Sequence, residues 1–170
     1  MPITTADPLD HQARWGEVSR DPVLRNLPYK VETNAQGQII VSPRQNAHSF
    51  LQARARDLLQ KHMSKGMVVP EFAIATRQGV KVPGLIWTSS ARKAEMEKTG
   101  DPTTRAPELC VEVMSETNTQ EEMSEKRRLY RDAGAEEVWI VDREGTVRFF
   151  GDEERDQSAL SPEFPSQVDA

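Results

Sequence analysis

The stretch ELCVEVMSETNTQEEMSEKRRLYRDAGAEEVWIVD, Glu108–Asp142, decides the fold. It opens as a strand: Leu109, Val111 and Val113 fall on one face, and Glu108, Cys110 and Glu112 on the other, because successive strand side chains point to opposite sides. From Thr119 to Ala133 the spacing turns helical. Met123, Tyr130 and Ala133 form an apolar stripe with Leu129 beside it, and Gly134 ends the run. Glu136–Asp142 is a strand again. A strand–helix–strand unit predicts parallel neighbours joined by a right-handed crossover.

The unit carries an anomaly. Lys126 shares the inward stripe with Met123 and Tyr130, where a lysine is rare. Seven residues of helix bring it roughly 10 Å back along the strand at 1.5 Å per residue. Glu112 lies three residues before the strand's exit at Ser115, again roughly 10 Å at 3.3 Å per residue. The two groups arrive level with one another. Two readings stay open. A carboxylate and an ammonium in one layer can hold a divalent metal and a phosphate between them. They can instead form a structural ion pair, with Lys126 snorkelling to water or pairing with Glu122 one turn before it. Glu108 is expected to be a solvated strand start.

Outward from this unit, a short helix is expected around His11–Arg20. YKVETNAQGQIIVSP (29–43) predicts two strands about a Gly37 turn, closed by Pro43. Phe50, Leu51, Ala55, Leu58, Leu59 and Met63 recur at helical spacing, with Asn46 as the expected N-cap. MVVPEFAIAT (67–76) and GVKVPGLIWTS (79–89) predict two further strands. A short helix and loop occupy 89–106, and TVRFFG (146–151) pairs back through a Glu144-Gly145 turn. The expected class is α/β (α+β), a mixed central sheet flanked by helices. Residues 1–27 form a helical extension, 28–151 the main domain, and 152–170 a charged tail with an edge strand expected near Phe164.

Composition narrows the function. There is no apolar run of about 18 residues to span a membrane, and the first residues lack the blocks of a signal peptide. The single cysteine, Cys110, excludes an internal disulfide framework, so a cytoplasmic location is expected. A net charge of −5 does not advertise a basic nucleic-acid groove, although Lys126, Arg127, Arg128 and Arg131 cluster locally.

The block Pro107–Asp142 resembles the signature of the Uma2 family, within the PD-(D/E)XK nuclease superfamily. The shared pattern is a proline, an apolar strand with Glu-Val, a Ser/Thr-rich turn, and a helix carrying Lys and Tyr. It continues with an Ala-Gly stop, Glu-x-Trp and Val-Asp. The hairpin from Val31 and the helix bearing His48 resemble the family more weakly. The resemblance implies a restriction-endonuclease-like fold and Mg²⁺- or Mn²⁺-dependent cleavage of DNA. Glu112 then corresponds to the glutamate metal ligand. Met114 takes the place of the superfamily's usual lysine, and Lys126 is the relocated catalytic lysine. Glu32 and His48 match the family's early acidic and histidine positions. Taken on its own, Glu32 reads as an ordinary strand carboxylate, and His48 reads equally as a first-turn helix residue in a polar contact.

The departure from the family sits in KVPGLIWTSS (81–90). Where the family writes Pro-Asp, this chain has Pro83-Gly84, and glycine has no side chain to offer a metal. Glu116 replaces a usual proline and Val138 a usual tyrosine; both are mild. Two functions are therefore expected to compete. One is a Uma2-type DNA endonuclease, impaired at Gly84. The other is a non-catalytic module on the same fold that binds a partner or forms a homodimer.

Overall fold

The computed structural model describes residues 7–43 and 45–169. Its elements, in order, are α1 (Pro8–Arg20), β1 (Lys30–Thr33), β2 (Ile39–Ser42), α2 (Asn46–His62), β3 (Met67–Pro70), β4 (Ile74–Thr76) and β5 (Gly79–Lys81). Then follow β6 (Leu85–Thr88), α3 (Ser90–Glu97), β7 (Leu109–Val113), α4 (Gln120–Asp132), β8 (Glu137–Val141), β9 (Val147–Phe150) and β10 (Glu154–Arg155). Among the described residues the main sheet has six strands in the order β10-β9-β8-β7-β6-β3, and β1-β2 and β4-β5 are separate hairpins.

β7 and β8 are the parallel pair, with Glu112 opposite Ile140, and α4 is their crossover. Every residue of both strands is buried, because helices cover both faces of the sheet. On one face α2 packs Leu51, Ala55, Leu58 and Leu59 against Leu109, Val111, Val113 and Trp139. On the other, Met123 and Tyr130 of α4 meet Cys110, Val138 and Ile140. Each such aliphatic or aromatic side chain contributes roughly 1.5–3 kcal/mol on burial. α4 begins at Thr119, whose side chain accepts the Glu122 N–H. It ends at Gly134, whose φ of +111° only glycine adopts without strain.

Several local expectations are corrected. Asn46 is the first helical residue rather than the cap; Gln45 caps α2 without a side-chain hydrogen bond. Phe50 is 65% exposed and lies off the apolar face of its helix. The two runs 67–76 and 79–89 make four strands, because the chain breaks after Pro70 at Glu71, which has a φ of +52°, and again between β5 and β6. Glu108 is only 8% exposed; its carboxylate accepts the Ser89 N–H and the Thr88 hydroxyl, which replace the water a strand start would have kept. The edge strand of the tail is β10, whereas Phe164 is a buried turn residue packed 4.6 Å from the Trp139 ring.

His11 of α1 is fully buried. Burial disfavours its charged form and lowers its pKa below the ordinary 6.5. The unfolded chain therefore binds the proton more readily than the folded one. Stability is full above about pH 6.5 and declines as the pH falls from there toward the lowered folded value. Thermal melts at pH 7.5 and 5.5 are expected to show a fall that His11→Phe diminishes.

Candidate active site

The site forms where β7 and α4 meet the β1–β2 hairpin. Alternation along β1 sends Lys30 and Glu32 to the same side. Glu32 is 5% exposed and Glu112 2% exposed. The Lys126 ammonium stands between them, 2.9 and 3.1 Å from the two Glu32 oxygens and 3.8 Å from Glu112 Oε1. Tyr130, one turn further along α4, donates its hydroxyl to Glu112 Oε1 at 2.6 Å. Lys30 Nζ lies 3.6 Å from Glu112 Oε2. Glu112 thus faces the α4 layer and not solvent. The helical spacing that placed Lys126 inward is realised in the structure.

The hairpin is fixed over the site by backbone contacts. Glu32 Oε2 accepts the Val82 N–H at 2.6 Å, Thr33 Oγ1 accepts the Val80 N–H at 2.8 Å, and Lys81 donates to the Thr33 carbonyl at 2.8 Å. Gly79 permits this docking: a Cβ there would lie 2.2 Å from the Thr33 oxygen. A cavity of about 340 Å³ opens beside the cluster, lined by Asn34, Ser42, Lys81, Glu122, Glu125 and Lys126 among others.

The charges are mutually dependent. Burial works against the Lys126 ammonium, but Glu112 and Glu32 outweigh it and hold its pKa above the ordinary lysine range. Burial likewise opposes the Glu32 carboxylate, and Lys126 and Lys30 bring its pKa below the usual value. Lys81 moves the other way: burial lowers its pKa, only partly offset by Glu32. Burial, then Glu112, raises the Tyr130 pKa well above normal, so its hydroxyl remains a donor.

Glu32, Glu112 and Lys126 are therefore brought together. His48 does not join them through a hydrogen bond of its ring Nε2, which instead bonds the Val113 carbonyl at 2.8 Å, tying α2 to β7 one residue beyond Glu112. Gly84 lies level with Glu112, since Leu85 pairs with Val111 in the antiparallel register. The backbone turns there as the Glu71 N–H bonds the Gly84 carbonyl, and a Cβ on Gly84 would point 2.6 Å from Gln52 Oε1. That oxygen is buried with no hydrogen-bond partner, while Gln52 Nε2 donates to Glu71. Gln52 and Glu71 were not legible as neighbours of the site, because they come from two separate segments; the glutamine in α2 follows His48 by one turn, which was the only hint.

A divalent ion, implied by the family resemblance, does not fit these residues as they stand. Among the described residues no group of three or more His, Cys, Asp or Glu is placed to hold a metal. Both candidate carboxylates are occupied by ammonium and hydroxyl donors.

No helix of the described residues is long and apolar enough to cross a membrane. No curated protein matches the chain. The fold is similar to the crystal structure of a putative nuclease belonging to DUF820 from Anabaena variabilis. That likeness has a TM-score of 0.61, covers 79% of this chain and 81% of the other, and comes with 21% sequence identity. The model of a family described as "Uma2: Putative restriction endonuclease" matches residues 17–168. With the match extending over most of its length, this protein belongs to the Uma2 family.

Proposed function

We propose that this protein is a DNA endonuclease of the Uma2 type whose metal-dependent cleavage is impaired. The observation that carries the reading is Gly84. It stands level with Glu112 across the β6–β7 register, at the position where the family resemblance expects an aspartate ligand, and supplies no carboxylate. Few protein ligands hold Mg²⁺ in such enzymes, so losing one anionic ligand weakens binding steeply.

The remaining residues keep roles suited to a phosphodiester. Lys126 is held protonated by two carboxylates and, with Lys81, lines the cavity, where their charge would favour a phosphate oxygen. Glu32 and, at a longer distance, Glu112 orient Lys126, and Tyr130 holds Glu112. His48 is a positioning residue that fixes β7 through the Val113 carbonyl.

The test is incubation of the protein with supercoiled plasmid in Mg²⁺ or Mn²⁺ beside Glu112→Ala. The expected result is equal, background nicking by both. Metal-dependent nicking that Glu112→Ala abolishes would overturn the impairment.

A further inference from the structure

Four carboxylate oxygens converge at the centre of the site, and each is engaged by the chain itself. Glu32 accepts from Lys126 through both oxygens and from the Val82 N–H through Oε2. Glu112 accepts from Tyr130 through Oε1, near Lys126, and faces Lys30 through Oε2. The two carboxylates are balanced by two ammonium groups. A divalent ion needs oxygen ligands at about 2.0–2.1 Å for Mg²⁺, and here it would have to approach carboxylates whose charge Lys126 and Lys30 already balance.

We infer that the Lys126 ammonium is the resident cation of this centre, in the place a divalent ion would require, and that it fastens the β1–β2 hairpin to the body of the protein. The inference takes from the proposed function only the identity of the site. Among the described residues the hairpin shares no strand pairing with the six-stranded sheet, so it depends on such tethers. Glu32–Lys126 and Lys30–Glu112 link it to α4 and β7. The Glu32, Thr33 and Lys81 bonds link it to residues 80–82. Without Lys126, two buried carboxylates would face one another with Lys30, and Lys81 further off, as their remaining counter-charges, an arrangement that invites a metal ion.

The experiment uses Mn²⁺ alone as the probe, with calorimetric titration and thermal melts in EDTA and in Mn²⁺. The native protein is expected to show no saturable heat and the same melting temperature in both. Lys126→Ala is expected to melt lower in EDTA, to lose hydrogen-exchange protection at 30–33, and to be raised by Mn²⁺. Its Mn²⁺ affinity should be at least about tenfold tighter than native, since a like charge within 4 Å has been removed. Lys126→Met, which keeps the apolar stem, serves if the alanine variant does not fold, with the same expectations. Micromolar Mn²⁺ binding by the native protein overturns the inference, as does a Lys126 variant that melts like native and ignores the metal. If native protein binds Mn²⁺ without nicking DNA, this inference alone falls. If a Lys126 variant gains Mn²⁺ while Gly84→Asp stays inert, the proposed function alone falls.

Discussion

Glu137→Ala is expected to cost about 3–5 kcal/mol, the range for removing one partner of a buried charged network, and to release the C-terminal segment. Glu137 is buried at the start of β8. Its Oε2 accepts the Trp139 indole N–H at 2.9 Å and the Ser158 hydroxyl at 2.6 Å. Its Oε1 accepts the Ala159 and Leu160 N–H groups at 2.6 and 3.2 Å, with Arg155 at 3.4 Å. Truncation strands an indole and two backbone donors, each worth roughly 1–3 kcal/mol when left unpaired. It also loosens the chain that seats Phe164 against Trp139 and Phe149. Urea denaturation should show the loss, and Glu137→Gln, which keeps one acceptor oxygen, should recover part of it. A cost under about 1 kcal/mol, typical of a surface substitution, would show that the tail is held by apolar packing instead.

Gly84→Asp is expected to gain metal-dependent nicking of plasmid DNA, by about a hundredfold or more over native, since supporting partners of a metal alone are worth 10–100-fold. The backbone at Gly84 is outside the left-handed region, so an aspartate fits its conformation. The obstacle is Gln52 Oε1, 2.6 Å from the new Cβ, but that is the end of a flexible side chain. It can swing aside at the loss of its 3.2 Å bond to Glu71. Gln52→Ala combined with Gly84→Asp should therefore cut at least as well as the single variant. A third carboxylate shifts the local balance to negative charge, so a cation can bind while Lys126 stays on Glu32. An aspartate variant that folds and stays inert would favour the non-catalytic module on the same fold.

The central unit was legible because its signals are local and periodic. The stripe Met123–Lys126–Tyr130 forces the lysine inward at helical spacing, and strand alternation turns Glu112 toward it. Glu32 was reached only through the family resemblance. Its hydrogen bond from Val82 and its ion pair with Lys126 span 50 and 94 residues, and no local pattern encodes such separations. Glu108 failed for the same reason: a carboxylate before an apolar run looks alike whether water or Ser89 answers it. Phe50 carries the helical period of its neighbours, yet at 65% exposure it lies outside the arc that the sheet covers. The break at Glu71 needed a positive φ at a residue that usually avoids it, which is why the run 67–76 read as one strand and not as β3 and β4.

The most direct test of the account is a calorimetric titration of the native protein and Gly84→Asp with Mn²⁺, side by side. The account predicts saturable binding by the aspartate variant and none by the native chain. Saturable binding by the native chain, abolished by Glu112→Ala, would contradict it and show that the carboxylates are open to a metal despite Gly84 and Lys126.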